Sequence, residues 1–326
     1  MPEAITVQTA REYRTKFGTD KPSLALARIM FAKEKPLYSS IHHARVCLMR
    51  LEGKSKGKRD PQAVDRPRNP YKIPATDETQ YEPFVFKGHK RVLLMSDIHV
   101  PYHNIESISA VIKFAKKEKP DALLLNGDTL DFHKISRYDS DPRKRDTAGE
   151  LTTFKALIDV FKKQLPGAKI YFKEGNHDER YAAYLAQKAG ELIGVSEFDF
   201  ENILKARAEG ITIIGEKRVM KMNGLNVIHG HEYKGGISAP VNIARGLYLR
   251  GKVSAVQGHN HTSSEHTEPD MNGKIVTTFS LGCLCELHPP YMPLNKWNHG
   301  FAICDLSDNG QDYQFRNKRI YNGKIL

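Results

Sequence analysis

Arg91-Val92-Leu93-Leu94-Met95-Ser96-Asp97-Ile98-His99 decides how the rest of the chain is read. An apolar run of this length, closed by polar residues, predicts a buried strand that delivers Asp97 and His99 to its C-terminal end. In an extended segment residues i and i+2 share a side, so the two are expected to face one ion together. Four more short motifs close apolar runs in the same way: Gly127-Asp128, Gly175-Asn176-His177-Asp178, His229-Gly230-His231 and Gly258-His259-Asn260-His261.

In a layered α/β fold the strand C-termini converge on one edge, where ligands bind. The motifs then offer two Asp, one Asn and several His around one point. That mixed nitrogen and oxygen set suits two divalent ions of Mn, Zn or Fe rather than Mg or Ca alone. A carboxylate such as Asp128 has two oxygens and can bridge both ions. Glycines before Asp128, Asn176 and His259 let the backbone turn tightly beside them.

Around these motifs, helices predicted at 105–117, 151–165 and 179–189 alternate with strands at 91–96, 122–126 and 169–173. Beyond 210 the pattern changes to short strands at 211–214, 219–222, 225–229, 253–257, 275–280 and 301–306, with one helix at 241–249. A βαβ half followed by a β-rich half implies two packed sheets with helices outside. Ahead of them, helices are predicted at 9–16, at 23–33 with Ser23 as N-cap, and at 40–51 with Gly53 as a stop. The last two, separated by a turn with Pro36, form a helix-turn-helix-like pair. Residues 53–81 are rich in Lys, Arg, Pro and Asp and poor in apolar residues, which is the composition of a linker. The expected organisation is therefore a helical domain at 1–52, a basic linker at 53–83 and the catalytic domain at 84–326.

The 326 residues are 40% apolar, enough for a sizeable core, and carry a formal charge of +12. Much of the surplus lies in one run: Arg45, Arg50, Lys54, Lys56, Lys58, Arg59, Arg66, Arg68 and Lys72, against Glu52, Asp60 and Asp65. Such a run attracts polyanions, and nucleic acid is the expected partner. His42 and His43 read as packing and surface residues. No stretch is long and apolar enough to span a membrane, and the first residues lack a secretory pattern, so the cytoplasm is the expected location. The four cysteines form no CxxC pair and are expected to be reduced and buried.

The ordered series D-x-H, G-D, G-N-H-[DE], H and G-H-x-H resembles that of the calcineurin-like metallophosphoesterase superfamily, over residues 84–306. The resemblance implies a two-sheet α/β/β/α sandwich with a dinuclear site at its edge. It implies that Asp97, His99 and His261 hold the first metal, that Asp128 bridges, and that Asn176, His229 and His259 hold the second. It places His177 beside the metals as proton donor and makes Asp131 the acid that orients it. The N-terminal helices are similar to helical extensions on phosphoesterases of phages and their bacterial hosts.

His231, Arg180, Trp297 and His299 are the candidate substrate contacts. The last two lie in a proline-stiffened loop, 282–301, where Trp297 and Tyr291 can stack on a base and His288 or His299 can meet a phosphate. The alternative is a loop that plugs the sandwich edge. The leading functional expectation is a phosphodiesterase, nuclease or end-processing phosphatase acting on nucleic acid. The alternative is a phosphomonoesterase for phosphoproteins or small nucleotides. A non-catalytic scaffold would show lost ligands, and none of the seven is missing. A capping domain after Phe301 is not evident.

Overall fold

The computed structural model describes residues 5–18, 21–51, 73–74, 82–136, 146–215, 217–237 and 241–326. The chain forms two compact units, 1–78 and 79–326.

The first unit contains α1 (Ile5–Phe17), α2 (Ser23–Lys33) and α3 (Ile41–Leu51). Leu26, Ala27 and Met30 of α2 and Ala44, Cys47, Leu48 and Leu51 of α3 recur at helical spacing, and with Ala10 they form one core. Tyr38, between α2 and α3, is buried, and its hydroxyl donates to the Thr6 carbonyl at 2.7 Å, which pins the turn onto α1. Ser23 does not cap α2. Pro22 occupies the cap position with no side-chain bond, since its ring offers no acceptor, and Ser23 is already helical. The linker expectation falls almost wholly outside the described residues.

The second unit carries β1 (Phe84–Val85), β2 (Arg91–Met95), α4 (Ile105–Glu118), β3 (Ala122–Asn126), α5 (Thr147–Gln164), β4 (Lys169–Lys173) and α6 (Arg180–Lys188). Short helices α7 (Phe200–Ile203) and α8 (Ala206–Glu209) precede β5 (Ile211–Ile214), β6 (Met220–Met222), β7 (Leu225–Val227), α9 (Ile243–Gly251), β8 (Ala255–Gln257), β9 (Ser264–Pro269), β10 (Ile275–Ser280), β11 (His299–Leu306), β12 (Tyr313–Tyr321) and β13 (Lys324–Ile325). Among the described residues they form two sheets, in the orders β13-β12-β11-β2-β3-β4-β5 and β1-β6-β7-β8-β10-β9.

Pleat alternation builds the layers. In β2 and β3, Leu93, Met95, Leu123 and Leu125 face a core shared with Ile108 and Val111 of α4 and Phe154 and Phe161 of α5. The intervening Val92, Leu94, Ala122 and Leu124 face the second sheet, meeting Met220, Met222, Leu225, Val227 and Val256. Burial on both faces explains why these strands are continuous apolar runs. On the far side, Leu247 of α9 packs with Ile228 and Ala255. The result is the expected α/β/β/α sandwich. β2, β3, β4 and β5 run parallel, as do β7 and β8, so their C-terminal ends lie at one edge.

Two long strands were absent from the sequence reading. β9 alternates half-buried and exposed residues at a sheet edge, and β12 pairs with β11 from Tyr313 to Ile320 yet is mostly polar. Half-solvated strands near an edge need few apolar residues, so hydrophobic runs do not announce them. Among the described residues no helix is long and apolar enough to cross a membrane. All four cysteines are free and buried.

Candidate metal centre

The ends of β2, β3, β4, β7 and β8 each continue into one of the five motifs. The side chains do not arrive there along extended backbone, contrary to the expectation for Asp97 with His99 and for His259 with His261. Asp97 (φ 55°), His99 (φ 50°), Asp128 (φ 49°), His259 (φ 64°) and His261 (φ 54°) all adopt the left-handed conformation. For residues with a Cβ this costs on the order of 1–3 kcal/mol each, and such strain concentrates at functional sites. The convergence comes from these kinks at strand ends and not from the pleat. Close approach is the second requirement. A Cβ at Gly175 would run into the Asp128 backbone and carboxylate, and one at Gly258 into Ser96 and Asp97.

Two donor groups result, with Asp128 common to both. In the first, His99 Nε2 and His261 Nε2 are 3.2 Å apart, and His261 Nε2 is 3.2 Å from Asp97 Oδ1. His99 Nε2 lies 3.9 Å from Asp128 Oδ2. In the second, His229 Nε2 is 3.3 Å from Asp128 Oδ2, and Asp128, His229 and His259 offer atoms within 4.8 Å of one another. The outer ring nitrogens are anchored. His229 Nδ1 donates to the Asn126 carbonyl at 2.9 Å, and His99 Nδ1 donates to Asp131 Oδ1 at 2.9 Å. Each bond leaves the Nε2 lone pair for the interior of the site, the tautomer a metal ligand needs.

Charge in this space is concentrated. Burial raises the Asp97 carboxyl, but His261 and then His229 more than offset it and bring the group to about 2. Asp128 is also raised by burial and is held well below the carboxylate range by His229, His177 and His99. Burial lowers His229 and His261, yet the neighbouring carboxylates, Asp128 first for His229 and Asp97 for His261, raise each to about 10. His259 goes the other way, to about 4, through burial and the neighbouring His229 cation. The carboxylates therefore demand positive charge beside them, which protons supply when cations do not.

Beside this centre, His177 Nδ1 donates to Asp131 Oδ1 at 2.9 Å, and the His177 amide donates to Asp128 Oδ1 at 2.8 Å. Asp131 thus orients both His177 and His99. Burial raises its carboxyl, but those two rings hold it well below the usual range. Asp178 is buried and bonded to the Gly175 and Leu130 amides, which ties the motif after β4 to the one after β3. Burial and then Asp128 push its carboxyl well above the usual range.

The family model for calcineurin-like phosphoesterases matches residues 90–278. This chain belongs to that family. Curated relatives include the Gene 54 proteins of Mycobacterium phage L5 and Mycobacterium phage D29. They are 28% and 27% identical, each alignment spanning 68% of this chain and 90% of the relative. Similar solved structures include wild-type Vps29 of Entamoeba histolytica complexed with zinc, at 13% identity and a TM-score of 0.38, covering 72% of this chain and 96% of that one. A dimetal phosphatase of Danio rerio, at 12% identity and a TM-score of 0.37, covers 73% of this chain and 98% of the other.

A calcineurin-like phosphoesterase is dinuclear and metal-dependent, and the residues here fit that requirement. Asn176 Oδ1 and His259 Nδ1 are buried with no hydrogen-bond partner among the described residues. An unpaired buried polar atom costs about 1–3 kcal/mol, which coordination would recover. Two ring nitrogens 3.2 Å apart, as in His99 and His261, match the separation of two ligands on one ion with bonds of about 2.0–2.1 Å.

The remaining candidates are placed as follows. Arg180 donates to the Asp131 carbonyl at 2.7 Å and to His177 Nε2 at 3.0 Å. Trp297 lies against the His261 ring, with centroids 4.1 Å apart. His231 Nε2 is turned onto Glu179 Oε1 at 2.9 Å, and His299 Nε2 onto the Cys285 carbonyl at 2.9 Å. Tyr291 is exposed, and His288 Nδ1 meets the Pro293 carbonyl within its own loop. The sequence reading missed Glu232, whose carboxylate accepts from the His229 and Gly230 amides. Its signal was present, an acid three residues beyond a candidate ligand.

Proposed function

We propose that this calcineurin-like phosphoesterase acts on nucleic acid, as a phosphodiesterase, nuclease or end-processing phosphatase, with two ions of Mn, Zn or Fe. The observation that carries this reading is the combination of an intact ligand set with a charge of +12, much of it in the run from Arg45 to Lys72 ahead of the centre. A polyanionic substrate is the partner such a surplus collects.

Asp97, His99 and His261 would hold one ion, Asn176, His229 and His259 the other, and Asp128 both. When bound, the pair acidifies a water and draws charge off the phosphoryl oxygens. The chain supplies the proton for the leaving oxygen. Asp131 orients the His177 ring, so Nε2 is the nitrogen left for substrate. In the free chain that nitrogen accepts from Arg180. A guanidinium only donates, so His177 is neutral in this arrangement, with its proton on Nδ1. Once Arg180 releases Nε2, that nitrogen can take up a proton from solvent and pass it to the leaving oxygen, and the freed guanidinium donors then suit a phosphoryl oxygen.

The test is a panel of bis-p-nitrophenyl phosphate, p-nitrophenyl phosphate, a phosphopeptide, and labelled single- and double-stranded DNA and RNA, each with Mn, Zn or Fe. Cleavage of the diester and of nucleic acid is expected. Hydrolysis confined to p-nitrophenyl phosphate and the phosphopeptide would replace this reading with the phosphomonoesterase one.

A further inference from the structure

A cleft of about 710 Å³ opens beside the metal centre and is lined by Asn176, His177, Arg180, Tyr184 and Lys188, with Lys134 contributed by the short helical turn His133–Ile135. Ligand sites for molecules far larger than phosphate occupy about 300–1,000 Å³. Arg180, Ala183, Tyr184, Gln187 and Lys188 all line it, at the spacing of one helix face. From Arg180 to Lys188 that face runs about 12 Å. α6 buries no residue, and beyond Arg180 this face is exposed among the described residues, at Ala183, Tyr184, Gln187 and Lys188.

The charged groups on the cleft are Lys134, Arg180, Lys188 and Glu179. Glu179 is already engaged, by His231 at 2.9 Å and Lys217 at 3.5 Å, and Arg180 is held by Asp131 and His177, so among the described residues the remaining charge is that of Lys134 and Lys188. Tyr184, 40% exposed, adds a ring to the same wall. His177, the proton donor for the leaving oxygen, stands in the lining, which puts the cleft on the leaving side of the scissile bond.

We propose that the cleft holds the leaving-side segment of a single-stranded nucleic acid, Lys134 and Lys188 meeting its phosphates and Tyr184 a base. The inference rests on the nucleic-acid reading above and names where the strand lies. A positively charged groove along the backbone and a stacking ring are how a single strand is held without base readout.

The experiment measures inhibition of p-nitrophenyl ester hydrolysis by a short oligothymidylate, by inorganic phosphate and by a phosphopeptide, in the full chain and in Lys134→Gln/Lys188→Gln. Competitive inhibition reads only the catalytic site, so nucleic acid held elsewhere does not enter. The ratio of the oligothymidylate Ki to the phosphate Ki is expected to rise about tenfold in the variant. The slope of log Ki against log salt should flatten by about 0.7 for each phosphate that is no longer neutralised. A ratio within twofold of the parent's, with an unchanged slope, overturns the proposal. So does a phosphopeptide that competes better than oligothymidylate in the parent. If the ratio rises while the panel shows monoester hydrolysis only, the cleft assignment stands and the diesterase reading falls. If the panel shows nucleic-acid cleavage and the ratio is unmoved, the cleft assignment alone falls. Replacing lysines on a cleft surface with glutamine leaves the fold largely unaffected, and a melting curve on the variant checks this.

Discussion

Lys173 Nζ lies 2.9 Å from Glu232 Oε1, and the lysine side chain has no exposed surface. The ammonium also donates to the Arg218 carbonyl at 3.0 Å. Burial raises the Glu232 carboxyl, but Lys173 more than offsets it and brings it to about 2. An ionised Glu232 then holds the His229 and Gly230 amides, so the last residue of β4 fixes the loop that presents His229. A buried ion pair here positions a candidate metal ligand.

Removing one partner strands the other charge in the interior. Lys173→Met is expected to cost about 3–5 kcal/mol, and Lys173→Met/Glu232→Gln distinctly less than the sum of the single changes. Glu232→Gln should also weaken retention of one of the two ions. Thermal melts and metal content after dialysis check this. A Lys173→Met protein that melts like the parent would remove the pair from the account.

Asp128 lies in both donor groups, so Asp128→Asn should abolish hydrolysis and lower metal occupancy. His261→Ala should do the same through the group containing His99 and Asp97. Circular dichroism should remain close to the parent's, because these residues sit at the sheet edge and not in either core. Metal-reconstituted Asp128→Asn with full activity would be incompatible with the assignment.

His177→Ala is expected to keep its metals and lose about 10²–10⁴-fold in rate on substrates with poor leaving groups. The loss should be smaller for p-nitrophenyl esters, whose leaving group needs no proton. Equal losses on both kinds of substrate would mean that His177 acts by charge and not by proton transfer.

Glu150 lies beneath Asp131, where its carboxylate accepts from the Phe132 amide at 2.7 Å. Burial, the leading cause, and the Asp131 charge push it up from 4.5 to about 7. Its folded pKa is raised, so its stabilising contribution is fully present below about pH 4.5 and is lost as pH rises through about 7. Glu150→Gln keeps an acceptor for Phe132 and cannot ionise. Its stability relative to the parent should therefore rise across that window, by on the order of 3 kcal/mol at most. A melting-temperature difference that is flat from pH 4.5 to 8 would show that Glu150 does not titrate in this range.

The basic run ahead of the catalytic unit is expected to bind nucleic acid. Changing Lys54, Lys56, Lys58 and Arg59 to Gln should weaken duplex DNA binding and flatten its salt dependence, by about 0.9 in slope for each phosphate that is no longer neutralised. Small-ester hydrolysis should be nearly unchanged, because the candidate ligands begin only at Asp97. Unchanged affinity and slope in a salt titration would make the run a solvated linker or a protein-docking arm.

The amino-acid sequence by itself determined the layered fold and the motifs of the candidate metal centre. β2, β3 and β4 are buried on both faces, so each had to be a short apolar run, and each is followed within three residues by Asp or Asn. Local order was enough to read this, because a strand and the residues that close it are neighbours in the chain. The polar β9 and β12 were not legible, since strands near an edge leave much of their length to water. Tertiary structure alone decided how the motif residues converge. Left-handed kinks at Asp97, His99, Asp128, His259 and His261, and not alternation along a strand, turn them inward. It alone also decided that Lys173 meets Glu232, that Asp131 serves both His99 and His177, and that α6 and Lys134 line one cleft. Each of these depends on residues far apart in sequence, brought together only when the sheets pack and their shared edge closes.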